Sequence, residues 1–380
     1  MRSSSGQISA PLPLPDERPR LAHLGGVRWG LLAAALALTL LGLATVRSAT
    51  AETGDDFLQR QLVWVGIGLV AMVVAFSFNY QTLLSFSLPL YLASLAALAL
   101  VLVLGYEAGG AQGWFRVGSV GIQPSEFAKL VTALYLTRYL AAPSGRELPT
   151  RQILAAMAIV AVPMLLIVLE PDLGGAAMFV PMAAGMLLVA GVKPRVLLLS
   201  VLAGLIVGLL VWNVGMQTYQ RQRVLTFLAP DTDPLGAGYQ VRQSKIAVGS
   251  GEVTGKGYGQ GTQSQLRFLP ARHTDFILAV LAEEWGFLGV ALVLALYATY
   301  LWNVAAVAMR ARDRAGILLV VGLGSVVAFH VLYNSAMVIG LVPVTGIPLP
   351  FLSYGGSFTL INYVSLGLIL GVDFRRFVNR

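Results

Sequence analysis

The sequence predicts an all-α integral membrane protein of about ten transmembrane helices, with one large extracytoplasmic loop between the seventh and the eighth. Three observations predict it. Of 380 residues, 57% are hydrophobic and only 12% charged, with a mean hydropathy of +0.75, a balance far from that of soluble domains. Apolar runs long enough to cross a bilayer as helices recur along the chain. The Lys and Arg residues between those runs alternate between dense and sparse, as membrane topology demands. The same composition excludes other classes. With no cysteine there is neither a disulfide framework nor a thiolate metal site, and the three histidines, His23, His273 and His330, are too scattered for a zinc enzyme. The net charge of +8 lies in short tufts rather than on one amphipathic face, so nucleic acid is not the expected partner.

Taken in order, residues 1–26 are rich in Ser, Pro and Gly, lack periodicity, and are expected to form a disordered cytoplasmic tail. A polytopic membrane domain then covers 27–375, and 376–380 form a second cytoplasmic tail. Spans are expected at 27–46, 61–78, 83–105, 126–142, 152–170, 174–192, 195–215, 276–304, 315–340 and 357–372. With the N-terminus inside, the inner segments hold Arg2, Arg18 and Arg20, then Arg146 and Arg151, Lys193 and Arg195, Arg310, Arg312 and Arg314, and lastly Arg375, Arg376 and Arg380. The short outer loops hold only Arg47, Arg60 and Arg116, which is the expected asymmetry, and an even number of spans returns the C-terminus to the cytoplasm.

The outer loop 216–275 also carries basic residues, among them Arg221, Arg223, Lys245 and Lys256, and these need another explanation because long loops translocate regardless of charge. Residues 217–228 read as an interfacial amphipathic helix. A second short helix is expected within 236–250, anchored by Tyr239, Ile246 and Val248. The glycines from Gly249 to Gly261 permit close approach of backbone to a ligand; the alternative is a plain surface tether. A further outer segment, 105–129, alternates Trp114, Phe115, Val117 and Val120 with polar residues and glycines, which suits a short ribbon or a re-entrant stretch. Pro124 ends it, and Ser125 with Glu126 opens the next helix in the manner of an N-cap. Lys129 follows Glu126 by three residues, placed equally well for a salt bridge or for a phosphate. The turn Glu170–Gly175 sets two carboxylates beside a proline and a glycine pair, and 341–357, rich in Pro and Gly, must be irregular backbone walled by protein or lining a cavity.

Asp275 stands where the glycine-rich loop runs into the eighth span. An acid at the mouth of a membrane helix is costly unless solvated or paired and so marks a functional site; a helix cap shared with Thr274 is the competing reading. Glu283 and Glu284 lie two to three turns deeper, where hydrogen bonding to Ser or Thr of neighbouring helices is preferred over catalysis.

The blocks Gln123–Lys129, Glu170–Gly174, Gly255–Pro270, His273–Phe276 with Glu283 and Glu284, and Gly346–Gly356 together resemble the signature of the SEDS family, the shape, elongation, division and sporulation proteins, over about residues 27–375. Ala271–Arg272 and Trp285 depart from the pattern locally. The resemblance implies a peptidoglycan glycosyltransferase that polymerises lipid II during cell elongation at the outer face of the bacterial cytoplasmic membrane, beside a class B penicillin-binding protein that crosslinks the glycan. It implies an essential acid at Asp275 and cavity residues at Trp114, Arg116, Gln123, Ser125, Glu126 and Lys129.

That chemistry needs one base, because a sugar hydroxyl attacks an anomeric carbon with a single inversion and expels undecaprenyl pyrophosphate. Asp275 is the expected base, and Arg116, Lys129, Arg221, Arg223 and Lys245 are candidate clamps for the departing diphosphate. A divalent cation, Mg²⁺ or Mn²⁺, is the competing device, with Asp275 as its ligand, and no organic cofactor is expected. The rival function is a transporter of lipid II, which the absence of an internal repeat and the concentration of polar features on one face disfavour.

Overall fold

A computed structural model describes residues 26–51, 56–108, 111–118, 120–142, 148–196, 198, 202, 225–227 and 236–378. Residues 1–25 of the predicted tail 1–26, most of the predicted span 195–215, all but 225–227 of the predicted helix 217–228, and Arg221 and Arg223 lie outside the described residues. In chain order the helices are α1 (Trp29–Thr50), α2 (Phe57–Ser77), α3 (Tyr80–Ser85), α4 (Ser87–Leu104), α5 (Pro124–Ala141), α6 (Thr150–Leu169), α7 (Leu173–Ala177) and α8 (Phe179–Val189). After the outer loop region come α9 (Ala237–Ser250), α10 (Thr262–Gln265), α11 (Ile277–Arg310), α12 (Arg314–Val338) and α13 (Gly356–Val378). Seven of these helices, α1, α2, α4, α6, α11, α12 and α13, are long and apolar enough to cross a membrane. The charged residues Glu126, Lys129 and Arg138 dilute α5, and the sixth predicted run is divided between α7 and α8.

The long helices run alternately up and down, which sorts the chain's polar residues between two ends. At one end the arginine tufts tie helices together: Arg28 N–H donates to Asp373 at 2.8 Å, Tyr80 to Asp313 at 2.9 Å, Arg314 to the carbonyl of Ala190 at 2.9 Å, and Arg375 to that of Ser77 at 2.8 Å. The other end holds the sheet, α10, the approach to α11 and the irregular segment before α13. Between the ends, α13 is the most enclosed span, with 83% of its apolar stretch buried, and it packs along α2 while α1 packs along α11.

The outer ribbon is a three-stranded antiparallel sheet, β1 (Tyr106–Ala108), β2 (Ala111–Val117) and β3 (Val120–Ile122), with Trp114 opposite Tyr106 and Phe115 opposite Ile122. Aromatic and β-branched residues alternating over this short stretch favour pairing over helix. The helix that follows is capped differently from the expectation. Gln123 is the N-cap without a side-chain bond, Pro124 occupies the first turn, and Ser125, only 1% exposed, lies inside the helix with an unpartnered hydroxyl. Proline's preset φ and missing N–H make it a starter that needs no side-chain cap.

Two further expectations change in the loop before α11. The helix α9 forms where expected, but Ser244 and Ala247 are its fully buried anchors, and Ile246 is 44% exposed. Part of the glycine-rich stretch packs on α11, where a Cβ on Gly251 or Gly255 would strike the carbonyl of Ala282 or Glu284, while Gly249 and Gly259 face open space. The packed part lies where α11 is broken at Gly286, whose φ of 64° with ψ of −162° is a combination open essentially to glycine alone. The backbone groups freed at the break are met by the loop: the carbonyls of Glu283 and Glu284 accept from Lys256 N at 2.9 Å and Gly257 N at 3.0 Å, and Phe287 N and Leu288 N donate to the carbonyls of Glu252 at 2.8 Å and Val253 at 3.1 Å. Irregular backbone persists in a membrane protein where neighbouring protein satisfies it in this way.

Candidate active site

A cavity of about 360 Å³ opens at the end of the bundle opposite the arginine tufts. Its walls come from five places distant in sequence. Trp114 of β2 and Gln123, Glu126 and Lys129 around the start of α5 form one side. The turn into α7 supplies Asp172, the approach to α11 supplies Asp275, α12 supplies His330, and the segment before α13 supplies Thr345–Pro348 and Tyr354.

Asp275 lies just before the N-cap of α11, which is Phe276 and makes no side-chain capping bond. Asp275 itself is part of the cavity lining. A methyl group built on Gly346 would stand 3.6 Å from Asp275 Oδ2, so the acid faces the irregular segment across a gap that glycine keeps open. Its backbone is held from three sides. Asp275 N donates to the carbonyl of Ala271 at 3.1 Å, Asn334 Nδ2 donates to the carbonyl of Asp275 at 2.7 Å, and Ser353 Oγ donates to that of Thr274 at 2.7 Å.

In the same cavity, Lys129 Nζ and Glu126 Oε1 form a 2.8 Å ion pair with side chains only 6% and 9% exposed. Removal from water makes such a pair costly to break from one side. Gln123 Nε2 donates to Asp172 Oδ2 at 3.2 Å, while Asp172 Oδ1 accepts from Gly175 N at 2.8 Å and so caps α7. Glu170, at the end of α6, is fully buried with neither carboxyl oxygen hydrogen-bonded. Burial pushes its carboxyl up to about 8, and the charge of Asp172 adds to the effect. At the rim, burial raises the Tyr354 hydroxyl while a hydrogen bond and the charge of Arg60 oppose it. Arg272, which donates to the carbonyl of Ala49, is lowered by burial and by nearby Arg267.

The cavity therefore gathers Trp114, Gln123, Glu126, Lys129 and Asp275 from among the residues singled out in the sequence. Ser125 is buried beside it. Arg116 is exposed and stacks over the Tyr106 ring at 5.6 Å, outside the lining, and Lys245 is exposed on α9 against Gly340. Sequence reasoning left out Asp172, His330, Tyr354 and the cation Arg60. The pair of carboxylates in Glu170–Gly175 was the legible signal for the first; His330 carries no local signal in an apolar run. Among the described residues, no group of three His, Asp or Glu side chains is gathered to hold a metal.

Glu283 and Glu284, deeper on α11, are bound within the protein. Glu283 accepts from Lys256 Nζ at 2.7 Å, Thr262 Oγ1 at 3.1 Å, and the N–H groups of Gln263 at 3.0 Å and Ser264 at 3.3 Å; Glu284 accepts from Ser48 of α1.

A family profile that joins FtsW, RodA and SpoVE, described as cell cycle proteins, matches residues 28–376. The peptidoglycan glycosyltransferase MrdB of Escherichia coli K12 is 36% identical over 347 residues, 90% of this chain and 92% of that protein. Stage V sporulation protein E of Bacillus subtilis is 38% identical over 350 residues, 89% of this chain and 94% of that one. Among solved structures, a chain of a peptidoglycan synthase complex that coordinates polymerization and crosslinking superposes with a TM-score of 0.79 at 34% identity, covering 92% of this chain and 98% of its own. The rod shape determining protein RodA of Thermus thermophilus gives 0.70 at 31% identity with the same coverage. Matched by that profile over nearly its whole length and by relatives above 30% identity, the chain belongs to the FtsW, RodA and SpoVE family, the SEDS proteins.

Proposed function

We propose that this protein is a peptidoglycan glycosyltransferase of cell elongation, polymerising lipid II at the outer face of the cytoplasmic membrane with Asp275 as general base. The observation that carries the reading is the meeting of Asp275, the buried Glu126–Lys129 pair and Trp114 in one cavity at the end of the bundle away from the arginine tufts. A membrane with positive residues inside puts that end outside, where lipid-linked sugars reach water while their tails stay in the bilayer. Relatives named as peptidoglycan glycosyltransferases support the activity.

In the reaction, the acceptor's sugar hydroxyl attacks the anomeric carbon of the donor. The new glycosidic bond forms as the bond to the diphosphate breaks, its electron pair leaves with undecaprenyl pyrophosphate, and the configuration inverts. The hydroxyl proton passes to the Asp275 carboxylate. Lys129 supplies positive charge in the cavity, and Trp114 offers a flat face to a sugar ring. A divalent cation would be held by Asp275 or Asp172, since Mg²⁺ commonly uses only one or two carboxylates, and would supply charge neutralisation at the leaving group. The partner is a class B penicillin-binding protein, in keeping with the synthase complex whose chain this one resembles.

The test is the purified protein, with and without its transpeptidase partner, given labelled lipid II. Glycan chains from the wild type and none from Asp275→Asn are expected, with partner binding intact. Chains from the variant sink the assignment of the base, and translocation into vesicles without polymerisation sinks the enzyme.

A further inference from the structure

An acid that must collect a proton from a bound sugar has to be held in one place, and the side chain that holds it is visible on the neighbouring helix. We infer that Asn334 of α12 is the positioning residue of Asp275, an inference that rests on the reading of Asp275 as proton acceptor. Asn334 is fully buried, and its single Nδ2 donates twice, to the carbonyl of Asp275 and to that of Ile347, both at 2.7 Å. Carbonyls only accept, so the amide group must face them with its nitrogen, and both of its protons are committed. One side chain thus ties the backbone of the acid to the segment forming the opposite wall, where Gly346 stands next to Asp275 Oδ2.

The rest of α12 supports that wall. His330 lies one turn earlier on the same face and its Nδ1 meets the carbonyl of Pro348 at 2.8 Å. Tyr333 donates to the carbonyl of Pro343 at 3.0 Å. Through these bonds the two hold the segment, whereas Asn334 bonds the segment and the acid together. Loss of its amide frees Asp275 relative to the wall without removing any group that touches substrate. Such an uncoupling lowers turnover more than substrate affinity.

The experiment measures polymerisation by the full-length protein with its transpeptidase partner, as kcat and KM for labelled lipid II across pH, together with thermal midpoints. Asn334→Ala is expected to lower kcat about a hundredfold, with KM within about threefold of wild type. Asn334→Asp keeps the shape, but a neutral carboxyl offers one proton to two carbonyls and an ionised one offers none. Its kcat therefore falls as well, more steeply as pH rises. Tyr333→Phe, which removes the bond to the carbonyl of Pro343, is expected to stay near wild type.

Wild-type turnover in both Asn334 variants overturns the inference, as does an equal loss in Tyr333→Phe, which makes the effect general loosening. Should Asn334→Ala fail to fold, Asn334→Asp carries the test; failure of both to fold makes the amide structural and overturns the positioning role. Asp275→Asn separates the two readings. If it remains active, the assignment of the base fails whatever Asn334 does, whereas an inactive Asp275→Asn beside active Asn334 variants removes this inference alone.

Discussion

Asp275 and Glu283 are acids eight residues apart at the same end of the same helical element, and their surroundings give them opposite work. Glu283 is fully enclosed, with four donors from the loop and α10 aimed at its two oxygens. Asp275 is held by its backbone, through Ala271 and Asn334, while its carboxylate borders a cavity. A carboxylate whose lone pairs are filled by protein has nothing left to offer a substrate, and its removal is a stability event. Asp275, fixed through its main chain, lines a cavity that a substrate can enter. What separates the two cases is the wall each acid borders, a cavity for Asp275 and packed loop backbone for Glu283.

The contrast breaks or sharpens by experiment. The largest effect is expected from Asp275→Asn, a loss of glycan synthesis of about a thousandfold at an unchanged thermal midpoint. A midpoint that collapses with the activity would instead put Asp275 in the class of Glu283. The converse change, Glu283→Ala, strands Lys256, Thr262 and two backbone N–H groups, and is expected to cost about 3 kcal/mol of stability. Thermal unfolding in detergent checks it, and an unmoved midpoint means the loop is not clamped there.

Glu170 supplies an intermediate case, a buried acid with no donors at all. Its carboxyl, ordinarily near 4.5, is held at about 8 by burial and then by Asp172. Because the folded protein holds this proton more tightly than the unfolded chain, stability contributed below pH 4.5 is lost progressively as pH rises towards 8, by at most about 1.4 kcal/mol per pH unit. Glu170→Gln carries no proton to lose, so its midpoint should be flatter than the wild type's across that window. Parallel curves would show that Glu170 finds a donor when ionised. The smallest effect belongs to Arg116→Ala. This exposed cation stacks on Tyr106 outside the cavity, so removing it should cost about 0.5 kcal/mol and change turnover about twofold or less in a steady-state assay. A large loss of turnover would bring Arg116 back among the groups that hold diphosphate.

The site was partly legible beforehand because its parts lie in short blocks with unusual chemistry for a membrane: Gln123–Lys129, Glu170–Gly175 and the acid before α11. Trp114 and the sheet followed from alternation over a few residues. Asn334 and His330 were not legible, because a single polar residue in an apolar helix looks the same whether it braces a neighbour or fills a gap. The break at Gly286 escaped for a similar reason. Hydropathy continues unchanged through it, and the loop backbone that makes it affordable comes from residues 252–257, outside the helix.

The amino-acid sequence by itself determined that this is a multi-span helical membrane protein, where its apolar runs fall, and which blocks carry polar chemistry, because length, hydropathy and charge asymmetry are local properties that the bilayer reads directly. Only the tertiary structure decided which acid faces a cavity and which is sealed, that Lys129 shares the cavity with Asp275, and what holds that acid's backbone in place. Those outcomes depend on hydrogen bonds between residues far apart in the chain, such as Asn334 to Asp275 and Gln123 to Asp172, and a burial pattern read along one segment contains no record of its partners.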